Sequence, residues 1–499
     1  MDLSRLLVIV AIFTANLVKN TCYSKSRGNS RWTWPQREFR GTWVATVGNL
    51  DWPSSSQLTS DQQKLELLQI LDKLVELNFN AFIFQIRPTS DAFYNSSYEP
   101  WSAFLAGEQG TPPTPFYDPL QFAVEEAHAR SLEIHAWFNL YRVQFDRNDT
   151  NGLAENNIAL RYPQYAYPYG KALIMDPGAS EIQQHIIEVF EDVLTNYDVD
   201  GIQIDDYFYP YPEQNLQFPD NTTYMDYVEK GGDLGLDDWR RENVNSLIKQ
   251  ISQTIKRIKP YAKFGISPFG IWKSGHPRDV SGLSAHSALY ADSRKWLRDG
   301  LVDYMTPQLY WAIQSKQSFT SLLQWWLQQN SIKRHLYPGI YAGRIVVSDW
   351  SLDEILHQVE ESRKVHGCCS LGNIQFRAKY FLNNTKGISD MFIGSLYQFP
   401  ALLPEMDWLP KIRPPKVGGV RVAGCSVTWR SDKSGLTRSY AVYKRESWRW
   451  NLVVVVSNNI HQVCLENGSY VIKSVSRLGN ENSPSKILRI KGNHCYKSF

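Results

Sequence analysis

The chain has 499 residues, enough for two domains and a large core. Its formal charge of +3 gives no basic footprint for nucleic acid. Aromatic residues make up 13%, including 17 Trp, a surplus that suits contact with carbohydrate better than phosphate or hydride chemistry.

In chain order, the start reads as a secretory signal. Arg5 precedes an apolar stretch over 6–18 that is too short to span a bilayer, and the small residues Cys22 and Ser24 suit cleavage after Ser24. A signal peptide over 1–24 and a linker over 25–37 are expected. Glycosylation sequons at Asn95, Asn148, Asn221, Asn383 and Asn467 then favour a secreted, extracellular glycoprotein with no membrane insertion after signal removal. Strands are expected over 39–47, 81–87, 134–141, 201–207, 263–269, 302–311, 336–341 and 371–376. Helical stretches alternate with them over 61–77, 119–130, 181–196, 236–258, 289–298, 319–329 and 352–365, the first on a stripe of Leu65, Leu68, Leu71 and Leu74. Short buried strands alternating with helices predict an α/β fold, a (β/α)8 TIM barrel over 38–403. A doubly wound open sheet competes less well, because no nucleotide-binding glycine loop is present.

In such a barrel the active site lies at the C-terminal ends of the strands. Strand two ends in Arg87, Asp91 and Tyr94, and strand three in Trp137, Asn139, Tyr141 and Arg142. Strand six ends in Gln308, Tyr310 and Trp311, and strand seven in Tyr341 and Arg344. Strand four, DGIQIDDYFYPY from Asp200 to Tyr211, ends in two adjacent acids and an aromatic cluster. Acids exchange protons or attack an anomeric carbon, and aromatic faces stack on sugar rings. Alternation places Gln203, Asp205 and Tyr207 on one side and Asp206 on the other. Asp205 is therefore expected to point into the mouth as the essential carboxylate, nucleophile or base, with Asp206 at the rim. Asp205, Gln308, Tyr310 and Asn139 should surround one opening. The substrate contacts expected are Arg87, Trp137, Asn139, Tyr141, Arg142, Tyr207, Gln308, Tyr310, Trp311 and Tyr341. A second acid is sought in Asp206, Asp91 or Asp51, whereas Asp303 and Glu38 start their strands and are discounted.

Several stretches together resemble a known family. They are EFRGTW (Glu38 to Trp43) with Asp51 to Pro53, RPTSDAFY (Arg87 to Tyr94), DGIQIDDY (Asp200 to Tyr207), DWRREN (Asp238 to Asn243), GISPFG (Gly265 to Gly270) and PQLYW (Pro307 to Trp311). In this order, over about 36–400, they are similar to the glycosyl-hydrolase-like family 10. The resemblance implies a barrel and a glycosidase, and some bacterial relatives act on peptidoglycan glycan strands stripped of peptides. A weaker likeness to the family 18 chitinases fails at two places. Gln203 and Tyr207 stand where that signature has Asp and the proton-donating Glu, which counts against an ordinary chitinase.

Pro404, Pro414 and Pro415 frame a linker over 404–415. Alternating strands over 425–429, 439–443, 452–456 and 469–475 then predict a small all-β sandwich over 416–499, similar to a fibronectin type III module. Trp448 and Trp450 are candidate sugar platforms there. Cys425, Cys464 and Cys495 make one disulfide plausible, and Cys368 and Cys369 are adjacent. No spacing suggests a metal site, and no cofactor is expected. The reading is a secreted glycoside hydrolase cleaving O-glycosidic bonds of a polysaccharide, an amino-sugar or peptidoglycan-type glycan being one candidate. The alternative is a glycan-binding barrel without turnover.

Overall fold

The computed structural model describes residues 35–491 except 148–151, 214, 215, 366 and 368. The expected signal peptide, Cys22, Cys368, Cys495 and the Asn148 sequon lie outside the described residues. The barrel strands are β1 (Phe39–Val44), β2 (Ala81–Arg87), β3 (Glu133–Phe138), β4 (Gly201–Ile204), β5 (Lys263–Ile266) and β6 (Tyr304–Met305). They are followed by β7, in two halves (His335–Leu336 and Gly339–Ile340), and β8 (Gly372–Gln375). Every pairing in this sheet is parallel. The sheet begins with one half of β7 and ends with the other, so it closes on itself. Bridges Gln308↔Gly339 and Leu336↔Ser370 stitch that seam. Both faces of each strand are covered, which is why these segments read as near-continuous apolar runs.

The outer helices follow their strands: Ser60–Glu76, Pro119–Ala129, Ser180–Asn196, Leu236–Ile258, Ser293–Arg298, Phe319–Gln329, Leu352–Lys364 and Ala378–Leu382. The first starts at a capping box between Thr59 and Gln62. Its buried stripe is Leu67, Ile70, Leu71 and Leu74, whereas Leu65 is exposed. The expected stripe was spaced strictly by three residues, and at 3.6 residues per turn such a row winds around the helix until its ends lie on opposite faces.

The interior is filled by large rings that need room. A Cβ at Gly265 would sit 2.0 Å from the Tyr304 ring, and one at Gly201 would sit 2.6 Å from His135. The glycine that opens β4 therefore makes space for a histidine of β3. At the lower end Phe39 stacks on Tyr337 at 4.3 Å, and Lys263 pairs with Glu133 at 2.5 Å. Leu403, Met406, Trp408 and Leu409 pack over this layer, and the Trp408 indole N–H donates to Asp303 at 2.7 Å. Glu38 is held by Arg40 and Arg363. Both discounted acids thus serve the floor.

Between β3 and the helix Ser180–Asn196 the chain makes a three-stranded antiparallel excursion (Arg142–Gln144, Ala166–Tyr169, Ala172–Met175) that the strand–helix alternation did not announce. After the barrel come two antiparallel sheets. One holds Arg421–Ala423, Ser426–Thr428 and Gln462–Cys464; the other holds Arg449–Ser457, Ser439–Glu446, Gly468–Val475 and Leu488–Ile490. Val427, Trp429, Tyr440, Val442, Ile472 and Leu488 fill the space between them. Cys425 is disulfide-bonded, and the free thiol of Cys464 lies 3.5 Å from its sulfur. No helix among the described residues is long and apolar enough to cross a membrane.

This module sits against the barrel floor. Arg477 grips Asp198 through two bonds of 2.8 and 2.7 Å, and Arg438 reaches Asp200 at 3.4 Å. Trp450 packs near Leu402, Tyr443 and Leu452, while Trp448 is 74% exposed. Because the floor segment ends before Pro414, a chain truncated at Pro414 is expected to keep a cooperative thermal transition at a lower Tm. Loss of all cooperative unfolding would show that barrel and module are one folding unit.

Candidate active site

The strand β4 stops at Ile204, so alternation stops there too, and both acids turn into the mouth. Asp206 is as deeply buried as Asp205, each 4% exposed, which corrects its expected place at the rim. Asp205 accepts through Oδ2 from the Trp137 indole at 3.1 Å and from the Asn139 amide, and through Oδ1 from the Tyr207 backbone N–H at 3.4 Å. Asp206 accepts from the Tyr211 hydroxyl on Oδ2 and from Gln308 Nε2 on Oδ1 at 2.8 Å.

Burial, and then the neighbouring charge of Asp206, push the Asp205 carboxyl up to about 7, against the pull of Arg142. Burial also raises Asp206, but Tyr211 and Gln308 hold its charged form. The two carboxyls share one buried site, so the charge of Asp206 disfavours ionisation of Asp205.

Aromatic rings surround the mouth. Tyr310 lies 5.3 Å from Tyr341 and 5.9 Å from Phe376, and Trp311 meets Phe269 at 5.5 Å. Tyr211 lies 5.8 Å from Tyr207. The Arg142 guanidinium is set between Tyr207 at 4.9 Å and Phe145 at 5.4 Å. A cleft of about 330 Å³ opens beside the pair along Tyr141, Arg142, Phe145, Tyr169, Tyr207 and Tyr211. A second, of about 510 Å³, runs past Leu50, Asp91, Phe104 and Gln109 and is also lined by Phe145.

Asp205, Asn139, Trp137, Arg142, Tyr207 and Gln308 are thus brought together by direct contacts, with Tyr310, Trp311 and Tyr341 in the ring around them. Three expected residues are engaged elsewhere. Asp91 accepts from the Thr89 N–H and hydroxyl and from Gln109, ordering its own loop. Asp51 accepts from Ala45 N, Lys379 N and Arg377, tying the loop after β1 to the loop after β8. Arg87 is buried, with every N–H taken by Glu99, Ser90 and the carbonyls of Asn139 and Leu140. It supports the site from behind.

The sequence reading missed Tyr211, Trp43 and Gln85. Trp43 donates to Gln203 at 2.6 Å inside the barrel, and Gln85 donates to Asn139 at 2.6 Å. A signal existed for Gln85, since it is a polar residue that interrupts the apolar run of AFIFQIR before Arg87, on the parity of Ala81 and Ile83.

The sequence profile of the glycosyl hydrolase-like 10 family matches residues 38–352. A glycosyl hydrolase of Bacillus subtilis, YngK, is 38% identical over 480 residues, 90% of this chain and 93% of its own. The chain belongs to the glycosyl hydrolase-like 10 family. Another relative, the glycosyl hydrolase DigH of Escherichia coli K12, is 34% identical over 370 residues, 68% of this chain and 83% of DigH. Among solved structures, the PgaB (BpsB) glycoside hydrolase domain from Bordetella bronchiseptica aligns at 13% identity and a TM-score of 0.46, covering 71% of this chain and 98% of that domain. Family membership supports a glycosidase-type function for this glycosyl hydrolase-like 10 chain, with a glycan as substrate.

Proposed function

We propose that this protein is a secreted glycoside hydrolase that cleaves O-glycosidic bonds within a polysaccharide, with Asp205 and Asp206 acting as a pair. The observation that supports this most is the buried acid pair at the foot of an aromatic mouth. Asp205 is the proton donor to the glycosidic oxygen, because burial keeps it neutral up to about pH 7. Asp206 is the charged member, held by Tyr211 and Gln308, and faces the positive charge that develops at the anomeric carbon. Two clefts that share Phe145 in their lining suit an extended polymer better than a single sugar. The β module is a fibronectin type III-like accessory, and the leader-like start sends the chain out of the cell.

The test is a screen of the purified protein against polysaccharides, with chitin and peptide-free peptidoglycan strands first because the family resemblance points to amino-sugar polymers. New reducing ends are expected from at least one polymer. Tight binding of a glycan with no cleavage in the whole panel would leave only the binding barrel.

A further inference from the structure

The orientation of Asn139 follows from groups that can only donate. The backbone N–H groups of Thr46 and Val47 reach the Gln85 side chain at 2.8 and 2.9 Å, so the atom facing them is its oxygen. Gln85 therefore turns its NH2 to Asn139, where Oδ1 accepts it at 2.6 Å. Arg142 Nη2, also only a donor, reaches the same oxygen at 3.2 Å. The Asn139 NH2 is left facing Asp205 Oδ2, which already accepts from Trp137.

We propose that Gln85 is a positioning residue: by locking the Asn139 amide it keeps two N–H donors on Asp205 Oδ2 and confines the transferable proton to Oδ1. The proposal rests on Asp205 as the acid of the proposed hydrolysis. A proton on Oδ2 would oppose the Trp137 and Asn139 hydrogens, whereas Oδ1 accepts the single long contact of 3.4 Å from the Tyr207 N–H among the described residues and is the oxygen better able to carry and release it. Gln85 is fully buried, and among the described residues its contacts here are with the β1 loop, Asn139 and no charged group. The charged and titratable groups around Asp205 itself are Asp206, Arg142, Tyr207, Tyr211 and Tyr310.

The test uses the full-length protein labelled with 13C at aspartate carboxyls and 15N at asparagine side chains. The Asp205 and Asn139 signals are assigned by their loss in Asp205→Asn and Asn139→Ser. In the parent, the Asn139 amide protons should follow the Asp205 titration. Gln85→Glu keeps the acceptor for Thr46 and Val47 but offers Asn139 an oxygen, so the amide should turn away from Asp205. Removing an N–H donor from the charged form raises the Asp205 midpoint, by about one pH unit or a tenfold change in its acid constant. The Asn139 protons should then cease to follow it, which added charge alone does not produce. Gln85→Met should raise the midpoint less, with the same loss of coupling. Thermal unfolding establishes that each variant is folded, and either one alone decides. Persistence of the coupling in a folded variant overturns the proposal. A shifted, uncoupled Asp205 in a protein that cleaves no glycan would leave Gln85 in its role and remove the proposed hydrolysis instead.

Discussion

Asp205→Asn is expected to lower turnover of any cleaved glycan on the order of a thousandfold or more, while binding of that glycan changes little. The amide keeps the shape of the carboxyl and its place beside Trp137 and Tyr207, but it has no proton to give. Asp206→Asn should behave differently. Its negative charge is one of the causes that hold Asp205 up at about 7, so removing it lets Asp205 ionise at lower pH. A rate that needs neutral Asp205 declines above the Asp205 pKa, and the alkaline limb of the pH–rate profile should therefore move toward acid in Asp206→Asn. Full pH profiles of kcat for the parent and both variants check this. Near-parent turnover by Asp205→Asn would transfer the acid role to Asp206. Asp91 and Asp51 are poor heirs because their oxygens are engaged in ordering loops, Asp91 by Thr89 and Gln109 and Asp51 by Ala45, Arg377 and Lys379.

Glu99→Gln is expected to destabilise the fold by about 3–5 kcal/mol, the usual effect of breaking a buried ion pair from one side. Arg87 would stay charged and buried without its counter-ion. Burial alone would raise the Glu99 carboxyl, but Arg87 and His185 overcome it and bring it down to about 2. A carboxylate whose folded value is depressed stabilises the protein above its unfolded value, and that contribution is lost as pH falls from about 4.5 toward about 2. Urea unfolding at pH 7 should therefore show a large difference between parent and variant, and the difference should shrink at pH 3. A difference under about 1 kcal/mol at pH 7 would mean that Glu99 is not what balances Arg87. Activity should fall as well, because Arg87 also holds the carbonyls of Asn139 and Leu140 in place.

Much of the barrel was legible because its signal is local. The eight strands and all of their outer helices but Ala378–Leu382 follow from apolar runs and helical spacing, and the acid pair stands out at the end of one such run. The limits of legibility are equally physical. Parity placed Asp205 correctly, but it holds only while the strand lasts, and β4 ends one residue before the pair. Arg87, Asp91 and Asp51 carry the right chemistry at the right strand ends. Their partners come from Glu99, Gln109 and Arg377, and no sequence period shows which loop folds back on which acid. The excursion from Arg142 to Met175 is three short strands paired only with one another, so it lacks the flanking helices that announce a barrel strand.

Leu403, Met406, Trp408 and Leu409 cover the lower end of the barrel, opposite the acids. The proposed hydrolysis would consume a water and free two chain ends, so arrivals and departures would share the opening at the other end. A polymer lying across it would also be a stopper, with the clefts lined by Phe145 as the space left for water.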